Sequence, residues 1–320
     1  MNSSKRNPIG GFFELELSKV KHYHIDAVNL NLGRSCLEYI VRSTKYKTIY
    51  VPHYTCSVLF DRLATLDIIV ERYHLNERLE IDLNLKQIKG DTLFMYTNYF
   101  GLKDKYIAAI SEMIKNLIID NCQAFFSKPI ENVNSFYSPR KFFGVPDGAY
   151  LVTEKIYTKV LKRDVSSDRL KHLTERIEYG PQKAFKNFQN HEVDLNNEGL
   201  KAMSKLTSGM LQSINYEKAA KIRNDNYRFL HEKLGASNNL KLDFELNLSP
   251  MVYPYVSNKE YLRAKLIDNE VFVATYWPNV FKDCSIDSLE YNFAKNILPL
   301  PIDQRYGKKE MEFIAQLILE

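Results

Sequence analysis

Short apolar runs alternate with amphipathic ones through the first half of the chain. The run "KTIYVP" (residues 47–52) predicts a strand closed by proline, and "YTCSVLFDRLATL" (54–66) follows with apolar residues at helical spacing. "DIIVERYHL" (67–75) predicts a second strand. "DTLFMYTNYFG" (91–101) predicts a β-rich run ending in glycine, and "KDKYIAAISEMIKN" (103–116) a helix. "LIID" (117–120) and "AYLVT" (149–153) predict two short buried strands. Strands separated by helices predict an α/β fold built on a mostly parallel sheet. From about residue 154 to 234 nearly everything carries helical spacing. That stretch ends in "LTSGMLQSINYEKAAKIRNDNYRFLHEKLG" (206–235), whose last glycine is a natural helix stop. From Leu240 the pattern mixes "PMVYPYV", a helical "NKEYLRAKLIDN", a strand-like "VFVATYW" and a closing helix. These segments predict a small C-terminal α+β domain over residues 237–320. The "SNN" at 237–239 joins it to a large domain, residues 1–236, that ends in the long helix.

Composition narrows the function classes. The 320 residues carry 44 Lys+Arg against 39 Asp+Glu, a net charge of +5, with the two signs interspersed. Phosphate-backbone binding needs a concentrated basic face, so nucleic-acid binding is not expected, whereas a small anionic substrate suits the mild excess. The four cysteines form no CxxC pair, and no run reaches the roughly 18 apolar residues of a membrane span. "MNSSKRNPIGGFF" has no apolar core of leader length. The expectation is a reduced, cytoplasmic protein without a metal. "HYH" (22–24) resembles a strand more than a metal site, and neither HExxH nor GxSxG occurs.

In an open parallel sheet, ligands bind beyond the carboxyl ends of the strands, and four places qualify. In "NLGRSCLEYI", Gly33, Arg34 and Ser35 open a helix, where free N–H groups, a guanidinium and a hydroxyl suit an anion. In "LIIDNCQAF", Asp120 ends a buried strand, where a carboxylate needs either a cationic partner or a capping role, and Gln123 lies three residues on. In "SPRKFFGVPDG", Lys141 stands beside two phenylalanines. Apolar surroundings lower a lysine's pKa and free its amine for carbonyls, unless the head reaches water. In "VPHYTCSV", Tyr54, Thr55 and Cys56 follow a strand. An anion cradle, a buried acid and a lysine 21 residues later form one set. Pyridoxal 5′-phosphate (PLP) needs all three: a phosphate site, an acid opposite its ring nitrogen and a lysine for its aldehyde.

The order of these pieces resembles the DegT-type nucleotide-sugar aminotransferases over nearly the whole chain. "LGRSCLEYI" resembles their phosphate loop, "IYVPHYTCSV" their strand-Pro-aromatic-Thr segment, and "IIDNCQAF" their acidic strand end. "SFYSPRKFFGVPDGAYLVT" resembles their serine, lysine and Gly-Glu-Gly-Gly region. "ATYWP" and "ILPLPIDQRYGKKEMEFIAQLI" resemble their C-terminal signatures. The resemblance implies a three-layer fold of PLP fold type I, with helices on both faces of the sheet. It implies Lys141 as the lysine that carries the cofactor and Asp120 as the partner of the ring nitrogen. Gln123 would lie against the ring or its phenolic oxygen. Gly33, Arg34 and Ser35 would meet the phosphate, with Ser135 or Ser138 adding a hydroxyl. Arg34 stands where the family usually has threonine. Cys56 stands where an aromatic would stack on the ring, a place Tyr54 could fill. The resemblance also implies a homodimer, an amino-acid donor such as glutamate, a nucleotide-linked keto-sugar acceptor and a role in surface-polysaccharide or lipopolysaccharide synthesis. The rivals are another PLP enzyme of the same fold, with a non-sugar acceptor or a dehydratase activity, and a non-catalytic binding protein. Dehydratase relatives replace the lysine.

Overall fold

The computed structural model describes residues 9–18, 20–88, 90–240, 245 and 247–320. The first eight residues of the stretch read for a leader, and residues 241–244 and 246 at the start of the C-terminal pattern, lie outside the described residues. Eight strands form one sheet in the order β1-β8-β7-β6-β5-β2-β3-β4. They are β1 (Val28–Leu30), β2 (Thr48–Pro52), β3 (Ile69–Leu75), β4 (Ile81–Asp82), β5 (Leu93–Thr97), β6 (Leu117–Asp120), β7 (Asn134–Tyr137) and β8 (Ala149–Val152). From β7 through β6, β5 and β2 to β3 every pairing is parallel, while β1, β8 and β4 join antiparallel.

The sheet is buried on both faces: β5, β6 and β7 are buried at every position, and most of those positions are apolar. Side-chain alternation sends Leu93, Met95, Ile118, Phe136 and Leu151 into one core and Phe94, Tyr96, Ile119, Tyr137 and Tyr150 into the other. Helices α1 (Gly33–Arg42) and α2 (Ser57–Leu63) cover the first face, with Cys36, Leu37, Ile40, Leu59 and Leu63 turned inward. Helix α3 (Asp104–Ser111) covers the second through Ile107 and Ile110. This is the three-layer α/β architecture expected from the sequence.

The helical region after β8 departs from its reading. Residues 154–166 hold no helix. Helices α4 (Lys171–Tyr179), α5 (Pro181–Asn196), α6 (Lys205–Gln212) and α7 (Tyr216–Leu234) follow. The run 206–235 is therefore two helices. Asn215 breaks it by accepting the N–H of Lys218 and capping α7, as short amide side chains do. Gly235 continues in the right-handed region at φ −59° and is not a left-handed stop. Beyond it come β9 (Val252–Tyr255), α8 (Leu262–Asp268), α9 (Val280–Asp283), α10 (Leu289–Asn296), β10 (Leu298–Pro301) and α11 (Lys308–Leu319), with β9 and β10 paired antiparallel. "VFVATYW" is not a strand: Val271, Val273 and Trp277 are buried, but the segment joins no sheet. His22–His24 likewise joins no sheet: the chain bends at Tyr23 and His24. His22 Nδ1 lies 2.8 Å from the Tyr150 hydroxyl, and His24 Nε2 donates to the Phe125 carbonyl.

Candidate active site

The parallel strands all point one way, so β2, β5, β6 and β7 deliver Pro52, Thr97, Asp120 and Tyr137 to one edge. Asp120 is 6 % exposed. Its Oδ1 accepts the N–H of Cys122 at 2.8 Å, so the capping role weighed for it is real. Burial pushes its pKa up, and the Lys141 charge and the Cys122 N–H only partly oppose this.

Lys141 ends a single turn of 3₁₀ helix, Pro139–Lys141, directly after β7. Its phenylalanine neighbours do not surround the amine. Phe142 and Phe143 are buried in the core on the α3 face, while Lys141 turns outward and is exposed. The expected downward pKa shift is therefore reversed. Desolvation lowers the pKa, but Cys122, Asp120, Cys56 and Tyr276 together raise it further, and the net direction is up. Burial pushes the Cys122 thiol well above its ordinary value, so of these two neighbours Asp120 is the more readily ionised beside Lys141.

The phosphate-loop candidates lie on the same face as Asp120. Asp120 pairs with Phe136 across β6 and β7, and Phe136 belongs to the core beneath α1. Gly33 opens α1 with no side-chain cap. A Cβ there would stand 3.0 Å from Cys122 Sγ, so glycine lets the helix start this close to the Asp120 turn without pushing that side chain aside. Ser35 is buried and its Oγ has no partner among the described residues. The same holds for Tyr54 OH, Thr55 Oγ1 and Gln123 Nε2. Buried polar atoms are nearly always paired, so four orphans following these strand ends and at the start of α1 mark a place built for a polar guest.

The remaining candidates separate. Ser135 pairs with Ile119 and so shares the face opposite to Asp120. Ser138 extends the alternation of Phe136 with an extended backbone (φ −118°, ψ 101°) and lies on the Asp120 side. Tyr54 packs its ring against Tyr99, Trp277 and Phe293, and of the two only Cys56 is among the groups that act on Lys141. Thr55 does not cap α2; Cys56 is the N-cap and makes no capping bond. Arg34 is half-buried, and its Nη2 donates to the carbonyl of Leu195 at the end of α5.

Three side chains of the site escaped the sequence reading. Tyr276, in "ATYWP", lies close enough for its charge to couple to Lys141. Arg223 of α7 is 1 % exposed. It lies over the Phe142 ring at 4.4 Å and donates to the Phe142 carbonyl, which also accepts from Gln304 Nε2 at 2.6 Å. Arg140 adjoins Lys141 and pairs with Glu192. Adjacency to Lys141 was the available signal for Arg140. For the other two, the contact depends on folding across more than 80 residues. Two cavities, of ≈ 290 and ≈ 480 Å³, lie elsewhere, and neither has Lys141 or Asp120 in its wall. Among the described residues no group of His, Cys, Asp and Glu could hold a metal ion, and no helix is long and apolar enough to cross a membrane.

No protein-family model and no curated protein matches the sequence. Solved structures do match. The sugar aminotransferase CalS13 from Micromonospora echinospora superposes with a TM-score of 0.62 at 10 % identity, covering 91 % of this chain and 86 % of its own. The chain has the sugar-aminotransferase fold. A DegT DnrJ EryC1 StrS aminotransferase from Brucella abortus gives 0.60 at 14 % identity (92 % and 85 % covered). GDP-4-keto-6-deoxymannose-3-dehydratase, with a trapped PLP-glutamate geminal diamine, gives 0.59 at 14 % (91 % and 87 %). The fold of these enzymes thus serves amine transfer and dehydration alike, and the chemistry of this chain must be argued from its own residues.

Proposed function

We propose that the protein is a PLP-dependent aminotransferase acting on a nucleotide-linked keto-sugar, with an amino acid such as glutamate as donor. The observation that carries this reading is that Asp120 and Lys141 both lie at the carboxyl edge of the parallel sheet, each within electrostatic reach of the other, beside buried polar atoms that lack partners among the described residues. When bound, PLP supplies a protonated ring that draws electrons from the substrate carbon, and an aldehyde that a primary amine can bond. The residues present fit it. Asp120 is the carboxylate to hold the proton on the ring nitrogen. Gly33, Ser35 and Ser138 would hold the phosphate, with the start of α1 supplying N–H donors. Gln123 Nε2 would donate to the ring's phenolic oxygen. Lys141 Nζ would bond the cofactor at rest and move the proton at the substrate carbon, and Arg223, by fixing Phe142, holds the turn that aims it.

Retention of a lysine at 141 favours amine transfer over dehydration. We further infer a homodimer and a place in surface-polysaccharide or lipopolysaccharide sugar synthesis in the cytoplasm. Residues 1–236 would hold the cofactor, and residues 237–320, through Tyr276, would close over it. The test is direct. Protein incubated with PLP should turn yellow, and borohydride should fix the cofactor on the tryptic peptide that contains Lys141. Glutamate plus a panel of nucleotide-linked keto-sugars should then yield an amino-sugar. An adduct on another lysine, or an unlabelled protein, would sink the reading.

A further inference from the structure

Arg140 adjoins Lys141, Arg34 lies at the start of α1, and one helix occupies both arginines. Arg34 donates from Nη2 to the Leu195 carbonyl and from Nη1 to Asn196 Oδ1 at 3.5 Å, while Arg140 pairs with the Glu192 carboxylate. Leu195, Asn196 and Glu192 all belong to the last turns of α5. The arginines act on one another: burial first, then Arg62 and Arg140, lower the pKa of Arg34. Its Nε is buried with no partner among the described residues. Helix α5 thus presents a carboxylate and the negative end of its dipole to a pair of crowded guanidiniums, much as an anionic ligand would.

We infer that Arg34 and Arg140 form the receptor for an anionic group, a diphosphate or a carboxylate, and that Glu192 and the Leu195 carbonyl fill it until that anion displaces them. The word substrate for this anion rests on the function proposed above; the receptor itself does not. The Arg140–Glu192 pair suits displacement. The Glu192 side chain is 43 % exposed, and a pair that open to water is weak. A diphosphate or carboxylate can engage a planar guanidinium at two points. The α4–α5 hairpin is anchored elsewhere, by His191 Nε2 donating to the Pro146 carbonyl at 2.6 Å, so releasing Glu192 need not unseat it.

Calorimetric titration of uridine diphosphate, glutamate and inorganic phosphate into wild type, Glu192→Gln and Arg140→Gln tests this. Glu192→Gln should bind one of the anions about tenfold more tightly, and Arg140→Gln about tenfold more weakly, the scale of one charge-assisted hydrogen bond. A response to uridine diphosphate alone assigns the receptor to a diphosphate, to glutamate alone to a carboxylate, and to inorganic phosphate as well to any small anion. Affinities unchanged in Glu192→Gln, or no binding in either wild type or that variant, would overturn the inference. So would an Arg140→Gln defect that appears only with a lowered melting temperature and no gain in Glu192→Gln. PLP uptake at Lys141, followed by absorbance in the same variants, keeps the two readings apart. Anion effects without PLP binding sink only the proposed function, and PLP binding without anion effects sinks only this receptor.

Discussion

The backbone N–H of Phe100 donates to Oε1 of Gln123 at 2.8 Å, across two strand ends. Phe100 sits in the left-handed region (φ 59°, ψ 0°) and Gly101 follows it there (φ 79°). A Cβ on Gly101 would stand 3.0 Å from the Gln123 carbonyl. A left-handed phenylalanine persists only where its surroundings over-determine it, and Gln123 is part of what does so. The bond also fixes which way the amide faces: an N–H donor demands the oxygen, so Nε2 is the end left without a partner. Gln123→Met should lower unfolding free energy by about 1–3 kcal/mol, because a buried N–H loses its acceptor. It should also weaken PLP binding. Urea titration that finds wild-type stability would remove the first role, and unchanged PLP affinity in the variant would remove the second.

Asp120 should trade stability for chemistry. Its folded pKa is raised because burial disfavours the ionised carboxylate. The sign follows from linkage: the folded state binds the Asp120 proton more tightly than the unfolded state, so this group disfavours folding as pH rises through its folded pKa. Asp120→Asn removes that charge and keeps the shape. The variant should melt at a higher temperature than wild type in the absence of cofactor. Turnover should fall by about 10²–10³-fold, the usual scale for removing one preorganised electrostatic partner. A lower melting temperature would show that the charge is better compensated than its burial implies.

Which of this the sequence disclosed follows from the range of the interactions. β2, β3, β5, β6 and β8 were legible because each is a short apolar run between turn signals, and the carboxyl-edge rule then pointed to Asp120 and Lys141. β1 and β7 were missed: three or four residues with polar members give no periodicity to read. The break at Asn215 was hidden because apolar spacing continues across it while one side chain ends the helix. The direction of the Lys141 pKa was misread for a related reason. Neighbours in sequence were taken as neighbours in space, but Phe142 and Phe143 turn into the core, and the groups acting on the amine include Asp120 and Cys122.

The same electrostatics give a prediction for Lys141 itself. Its raised pKa should make it less reactive towards an acylating reagent than its exposure suggests. Asp120→Asn removes the carboxylate that favours the charged form, so more of the amine is neutral at any given pH and acylation should speed up. Competitive labelling with peptide mass analysis reads the rate at Lys141 against the exposed Lys205. Equal or slower labelling in Asp120→Asn would mean that the carboxylate is not what holds the proton on Lys141.

Acid should unfold the protein in part through His24. Its ring is 7 % exposed and lies against Tyr137 with centroids 3.9 Å apart. Nε2 donates to the Phe125 carbonyl at 2.9 Å, which assigns the proton of the neutral ring to that nitrogen. Burial lowers the pKa from 6.5 to about 4, and the bond to Phe125 only partly opposes it. In the unfolded chain the ring takes up a proton from about pH 6.5 downward, while in the folded chain it resists until about 4. Between these values the unfolded state binds more protons, so stability rises with pH across this window and is lost as pH falls through it. The span corresponds to roughly 3 kcal/mol. His172, also lowered to about 4, acts in the same direction, so the wild-type slope should exceed that of one group. His24→Gln keeps a donor for Phe125 and removes the titration. It should be less stable than wild type at pH 7, where the stacked ring is lost without compensation, and the gap should narrow steadily towards pH 4. Urea unfolding at half-unit steps of pH measures both curves. Parallel curves over the whole window would show that His24 titrates alike in the folded and unfolded states, and that its burial carries no penalty for charge.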